Sequence, residues 1–435
     1  MKLSFENVGK VAKAEIEVDS ITVIAGANDT GKSTAGKILY SIYTALYELT
    51  PEKLLRNKVE SIQKDEQRIL DWLEYEAFEF PKPAYERYFS TSDYVYPSDD
   101  DHESHENFLN TRIKEWVEMV KERLKDENIS KGVKKQIEDS LQNVLVKADI
   151  RSNSEKIKLL TVQDVLLSEF SSSLTTELCA NASSKIVLKE DNGNKMKFYF
   201  LANEIDDKMS HIEKSREFSY PLYIDNPFVL DELNRQRRNV DSFDHNDKII
   251  ELIEKSSKIN AFEKMFENKK IREILESVVE GRIVRKGWRY QYQTKKMLNP
   301  VDIESLSTGM KSFAVLKMLF DSQKLDKCEF LILDEPEVHL HPEWQLKYAE
   351  LVVLLASERN VRVLITTHSP YFIEAIELYS KKYGINEHIR YYIAANSKND
   401  MSEMMDVTRR LEILYENMSE PFQTLKELRD ELDEA

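Results

Sequence analysis

The sequence predicts an α/β head built from two separated stretches of chain, with a helical and β-hairpin insert between them. Three observations predict it. The apolar run Ile21-Thr22-Val23-Ile24-Ala25 feeds directly into a glycine-bearing loop and then a helix. From residue 300 onward, short apolar strands alternate with helical stripes at α/β spacing. Residues 51 to about 215 are instead polar and helix-rich.

Taken in order, Leu3-Ser4-Phe5 and the alternating Ala14-Glu15-Ile16-Glu17-Val18 read as strands ahead of the buried run at 21–25. Residues 32–48 form a helix on the stripe Ile38, Leu39, Ile42, Leu46. In the insert, helices 107–127 and 131–149 carry the stripes Ile113, Val117, Val120, Leu124 and Val133, Ile137, Leu141, Val144. At 1.5 Å per residue each is about 30 Å long, enough for a short hairpin and too little for a coiled-coil arm. Residues 185–189 and 195–201 flank Asp191-Asn192-Gly193-Asn194, which signals a β-hairpin. Residues 221–224 return to the sheet, 247–279 are helical and 282–296 are extended. Helix 311–322, strand 329–333, helix 343–356, strand 361–366, helix 370–380 and strand 389–393 complete the head.

Composition narrows the function classes. The 435 residues are 41% hydrophobic and 32% charged, a globular balance. The longest apolar runs are far too short to cross a bilayer, and residues 1–6 lack the apolar core of a signal peptide. With Cys179 and Cys328 alone there is neither a disulfide framework nor a cysteine zinc site, so a cytoplasmic protein is expected. The net charge of −16 excludes nucleic-acid binding over the whole surface and leaves room only for a local basic patch.

Only 10 glycines occur, and three fall between Gly26 and Gly36. Gly26-Ala27-Asn28-Asp29-Thr30-Gly31-Lys32-Ser33 fits G-x-x-x-x-G-K-[ST] between a strand and a helix, the context that makes the pattern a P-loop. The glycines let backbone N–H groups, from Gly26 through Asn28, Asp29 and Thr30 to Thr34, surround phosphate oxygens. Lys32 supplies a point charge, the Ser33 hydroxyl can ligate Mg²⁺, and the helix N-terminus favours an anion. Strand 330–333 ends in Asp334 and Glu335: one carboxylate to hold Mg²⁺, the next to orient and polarise an attacking water. Ser307, Thr308 and Gly309 open a helix as a second phosphate cradle or a plain N-cap. A single chain does not easily close both cradles on one nucleotide, whereas a two-fold dimer does. His368 follows another buried strand and either reports on the γ-phosphate or caps the next helix. His339 and His341, with Glu337, have metal-ligand spacing; His102 and His105 read as solvated in an acidic loop.

These four motifs, in this order, resemble the Walker A, signature, Walker B and switch-histidine motifs of ABC-type ATPases, over about 1–50 and 280–395. The long stretch between Lys32 and Ser307 resembles the SMC/RecN/OLD branch. Glu335-Pro336-Glu337-Val338-His339-Leu340-His341-Pro342 and Thr366-Thr367-His368-Ser369-Pro370 look most like OLD-family ATPases, including those of Septu- and PARIS-type anti-phage systems. The resemblance implies an ABC-type P-loop ATPase head. It would comprise a Walker A lobe (1–50), a helical/β-hairpin insert (51–215), a lobe with the other motifs (216–395) and a helical tail (396–435). It implies ATP and Mg²⁺ as cofactors and an ATP-dependent homodimer. Glu335 and His368 would be catalytic, Ser33 and Asp334 would hold the metal, and His339 and His341 would lie in a loop facing the partner subunit. About forty residues follow the last strand, so the family's Toprim nuclease domain is not expected, and Gln236 makes no clean glutamine loop.

Two features fall outside these motifs. Arg235, Arg237, Arg238 and the cations of 282–296, near Trp288, Tyr290 and Tyr292, are either a nucleic-acid surface or the solvated face of a sheet. The tail stripe Leu411, Leu414, Met418, Phe422, Leu425, Leu428, Leu432 is broken at Ser419-Glu420-Pro421, which reads as a fresh helix start. It either folds back on the head or docks a partner. The expected function is an ATPase that regulates a separately encoded effector, a nuclease, in bacterial anti-phage defence. The alternative is a RecN- or RecF-like ATPase acting directly on DNA; a transporter subunit ranks third, with no membrane-coupling helix in sight.

Overall fold

The computed structural model describes residues 1–75, 102–125, 129–176, 178, 183–213, 218–235, 244–255, 269–359, 361–397 and 400–434. Strands β1 (Lys2–Val8), β2 (Val11–Glu17) and β3 (Ile21–Gly26) precede helix α1 (Lys32–Glu48). Four helices follow: α2 (Pro51–Tyr75), α3 (His102–Arg123), α4 (Lys131–Asp149) and α5 (Glu155–Glu169). Next come β4 (Ser183–Lys189), β5 (Lys195–Leu201), β6 (Glu204–Ile205) and β7 (Leu222–Ile224). Helices α6 (Val229–Glu232), α7 (His245–Glu254) and α8 (Lys269–Val278) lead to β8 (Arg282–Lys286), β9 (Arg289–Gln293) and β10 (Val301–Asp302). The chain then alternates through α9 (Thr308–Asp321), β11 (Phe330–Asp334), α10 (Pro342–Arg359), β12 (Arg362–Thr367), α11 (Pro370–Tyr383) and β13 (Ile389–Asn396). Strand β14 (Ser402–Asp406) and helix α12 (Leu411–Glu434) complete it.

The chain divides into two compact units, Met1–Tyr47 with Val162–Ala435, and Glu48–Thr161. The larger unit holds an eleven-stranded sheet in the order β6-β5-β4-β1-β2-β14-β13-β3-β12-β11-β7. Strands β7, β11, β12, β3 and β13 are mutually parallel, and β3, β11 and β12 are buried along nearly their whole length. Strands covered on both faces need continuous apolar runs, as Ile21-Thr22-Val23-Ile24-Ala25 and Phe330-Leu331-Ile332-Leu333 supply. The other half of the sheet alternates buried and exposed positions instead. In the smaller unit, α2, α3 and α4 pack through Val59, Ile62, Ile113, Val117, Ile137 and Val144. The ammonium of Lys58, buried there, is matched by Glu106 (2.8 Å), Asn110 Oδ1 (2.9 Å) and the carbonyls of Ala148 and Ile150 (both 2.9 Å).

Several expectations are corrected. The hairpin at 185–201 is not part of the insert, because β4 pairs antiparallel with β1, Leu3 opposite Leu188. Its buried side chains Ile186, Leu188, Met196, Phe198 and Phe200 need the core of the large sheet, so the insert stops near Thr161 rather than 215. Residues 402–406 likewise leave the tail, since β14 joins β13 and β2. The helical pattern at 247–279 resolves into α7 and α8, with 256–268 outside the described residues. His102 and His105 lie in the first turn of α3, not in a loop. The tail forms one unbroken helix through Pro421: its first half is held by the head, which leaves no reason for a restart.

Helix α12 thus divides by burial, with Leu414 wholly buried and Leu428 50% exposed. Leu414→Ala is expected to cost about 2–5 kcal/mol in denaturant unfolding, and Leu428→Ala less than about 0.5 kcal/mol.

Candidate active site

The loop from Gly26 to Thr34 lies between the C-terminal end of β3 and the start of α1. Gly26, at φ +153°, passes so close to β13 that a Cβ would fall 2.4 Å from the Ala394 carbonyl oxygen. Gly31, at φ +74°, is closed off by Val11 at 2.7 Å. Both glycines are therefore required by the backbone path and by space. Asn28 is exposed, Asp29 has φ +60° and is ion-paired with Lys10, and Thr30 donates its hydroxyl to the Ala27 carbonyl at 2.8 Å. The Thr34 N–H donates to the Gly31 carbonyl at 3.1 Å. Lys32 is buried; its ammonium donates to the Ala27 carbonyl at 2.8 Å and lies 3.3 Å from Glu335 Oε1.

The end of β11 meets this loop. Asp334 Oδ1 accepts from the Ser33 hydroxyl at 2.9 Å and from the Thr366 hydroxyl, and Oδ2 accepts from Tyr223 Oη at 2.8 Å. Burial and the Asp334 charge hold the Tyr223 phenol well above its ordinary value, so Tyr223 stays a donor. Glu335 adopts φ +48°, an uncommon conformation for a residue with a Cβ, and its N–H is held at 3.1 Å by both the carbonyl and the hydroxyl of Thr366. Glu337 is only 2% exposed. Its Oε1 accepts from the Thr367 hydroxyl at 2.5 Å and the His368 N–H at 3.0 Å, whereas Oε2 has no hydrogen-bond partner among the described residues. Burial pushes the Glu337 carboxyl up, against the pull of these donors. His368 Nδ1 stands 3.6 Å from Glu335 Oε1 and 3.7 Å from Glu337 Oε1.

A cleft of about 300 Å³ opens here, lined by Ser33, Asp334 and Glu335 and, on the far side, by Asp225, Asn226 and His339. Sequence reasoning missed Asp225 and the residue behind it, His245. The buried imidazole of His245 lies 3.1 Å from Asp225 Oδ2 on one side and 3.1 Å from Glu169 Oε2 on the other. Tyr223 and Tyr40 present rings to it at 4.6 and 5.9 Å. Burial alone would push His245 down, but hydrogen bonds to Asp225 and Glu169 raise it to about 10. No spacing rule links residues 169, 225 and 245; their only advance signal was the return to strand at 221–224.

Ser307, Thr308 and Gly309, expected to reach the nucleotide of the opposite subunit, stand apart from this cleft. Ser307 caps α9, accepting from the Met310 N–H at 3.4 Å. Thr308 opens that helix, and a Cβ on Gly309 would lie 3.0 Å from the His339 carbonyl oxygen and the Trp344 ring. None of the three lines the cleft; Ser312, one turn later, does. His339, His341 and Glu337 do not converge either. Glu337 turns inward, His339 packs against Phe228 at 5.9 Å, and His341 Nδ1 accepts from the Glu343 N–H at 3.4 Å. Among the described residues, no group of three His, Cys, Asp or Glu side chains is placed to hold a metal ion. Arg235 is ion-paired with Glu232, and Gln236, Arg237 and Arg238 lie outside the described residues.

Residues 21–374 match the family model described as "AAA domain, putative AbiEii toxin, Type IV TA system". The chain belongs to this AAA-domain family. The OLD nuclease of Thermus scotoductus is 30% identical over 87 residues, which are 20% of this chain and 16% of that protein. The SMC head domain from Thermotoga maritima aligns at 11% identity and TM-score 0.36, covering 93% of this chain and 98% of that one. An SMC head bound to the C-terminal winged-helix domain of ScpA aligns at 12% identity and TM-score 0.38, covering 95% and 98%. No helix among the described residues is long and apolar enough to cross a membrane.

His245 gives the family head a pH signature. Its raised value means that stability from the Asp225–His245–Glu169 cluster is complete below about pH 6.5 and is lost as pH rises through about 10. Thermal unfolding between pH 7 and 10 should show a steeper fall in Tm for the parent than for His245→Gln, which starts lower. Parallel curves would assign His245 no such role.

Proposed function

We propose that the chain binds ATP with Mg²⁺ in this cleft and hydrolyses it. One observation carries the reading: the fold joins residues 301 positions apart, Ser33 and Asp334, at 2.9 Å, and sets Lys32 beside Glu335. Ser33 and Asp334 offer oxygen ligands of the kind Mg²⁺ takes, and the ion would neutralise charge on the phosphate oxygens. Lys32, now shared between a carbonyl and a carboxylate, has a stronger anionic partner in a β/γ-phosphate. Moving toward it releases Glu335 to orient and polarise a water. His368 stands beside Glu335, where it would meet a γ-phosphate, with its backbone N–H held by Glu337. Backbone N–H groups from Gly26 to Ser33 would meet the remaining phosphate oxygens, and Thr34 would join them on releasing the Gly31 carbonyl.

The cradle at Ser307, Thr308 and Gly309 lies outside its own cleft, which supports a two-fold arrangement in which each copy completes the other's site. We take the biological role to be regulation of a separately encoded effector, a nuclease, in cytoplasmic anti-phage defence. The exposed leucines Leu425, Leu428 and Leu432 of α12 support action through a second polypeptide.

Lys32→Ala should weaken ATP binding at least about tenfold in calorimetric titration, whereas Glu335→Gln keeps binding and loses about 10²–10⁴ in turnover. Parental turnover in Glu335→Gln would refute the assignment of that carboxylate. Native mass spectrometry of Glu335→Gln should show dimers with ATP–Mg²⁺ that Ser307→Arg abolishes; monomers throughout would sink the two-fold reading.

A further inference from the structure

Residues 281–300 carry six cations, Arg282, Arg285, Lys286, Arg289, Lys295 and Lys296, and no acidic residue, in a chain of net charge −16. The register of β8 and β9 sorts their side chains. Opposed residues share a face, so Ile283 and Arg285 lie with Tyr292 and Tyr290, and both tyrosines are buried against the head core. That removes them as stacking surfaces. Arg282 and Lys286 fall on the opposite, outward face with Arg289.

Gly287, at φ +66°, and Trp288 form the two-residue turn between Lys286 and Arg289, and Trp288 is left 58% exposed at its tip. The Arg289 guanidinium covers its ring at 4.8 Å while pairing with Asp302 at 2.6 Å. Lys296 pairs with Glu280 at 3.0 Å. Arg282, Lys286 and Lys295 are exposed and have no ion-pair partner among the described residues. The hairpin therefore offers three unneutralised cations, Lys286 next to the projecting ring at its tip and Arg282 and Lys295 at its open end.

The geometry points to a binding surface for single-stranded nucleic acid, with backbone phosphates on Arg282, Lys286 and Lys295 and an unstacked base on Trp288. An anionic polymer is the partner that complements unpaired cations, and a π-face accepts any base. A projecting ring at a hairpin tip needs a base free of its duplex, which favours a single strand. A membrane surface fits less well, because it requires a buried apolar face, and the tyrosines of this hairpin turn inward. From here β10 and the 3-10 turn Ile303–Ser305 lead straight to Ser307. Binding would thus act at the root of the proposed second cradle, a coupling that rests on the ATPase reading; the binding itself does not.

The test uses the full chain without nucleotide and a fluorescent twenty-residue oligothymidylate, followed by anisotropy from 50 to 200 mM KCl. Three phosphate contacts predict a log–log salt slope of about −2, an affinity loss of roughly 20-fold across that range. Trp288→Ala should weaken binding at least about fivefold, and the triple reversal Arg282→Glu, Lys286→Glu, Lys295→Glu should abolish it. Equal binding by parent and triple variant, tighter binding of the matching duplex, or binding to phosphatidylserine vesicles with none to the oligonucleotide would each overturn the proposal. ATP affinity is measured in parallel. Hairpin variants should keep the parent's value, and a parent that binds no ATP would refute the ATPase reading while leaving the anisotropy result to decide this one.

Discussion

The Asp334 carboxylate is the point on which the head depends. It gathers three hydroxyls, from Ser33 at the start of α1, Tyr223 on β7 and Thr366 on β12, and so ties three parallel strands to the P-loop helix. A half-buried network of this kind stabilises most when complete, since a missing member leaves the others short of partners. It also dictates packing. Helix α1 must lie directly on β11 for Ser33 to reach Asp334, and Gly36 permits this: a Cβ there would come within 2.9 Å of Ile332.

Charge around this point is arranged as separate matched sets. Lys32 faces Glu335, His245 faces Asp225 and Glu169, and Glu337 is satisfied on one oxygen by Thr367 and the His368 backbone. Each acid of the cleft region thus meets at least one donor, and the strained backbone of Glu335 fixes where its carboxylate begins. A cleft so ordered can respond to a bound anion by exchanging partners rather than by refolding.

Much of this was legible in the sequence because the parallel strands are continuous apolar runs and the loop chemistry is local. Lys32, Ser33, Asp334 and Glu335 follow from short patterns, each next to its own strand. What stayed hidden was set by tertiary neighbours. Turn residues specified the 185–201 hairpin but not the sheet edge it joins. Tyr290 and Tyr292 looked like candidates for base stacking until register turned them inward. Asp225 and His245 meet only because β7 and α7 pack together, and Pro421 broke a local rule that the surrounding helix overrode.

The order of strands in the sheet has a further consequence during synthesis. Strand β3 emerges early, yet its two neighbours are β12 and β13, more than three hundred residues later. Glu48–Thr161 has its own core and can condense in the interval. The segment Ile21–Gly26, the most apolar of the early strands, meanwhile waits with both edges unpaired. Non-local parallel pairing is slow and leaves such edges open to aggregation. The nascent chain should therefore depend on chaperones until β12 and β13 have been made, and its solubility should be decided in that interval rather than by the stability of the finished head.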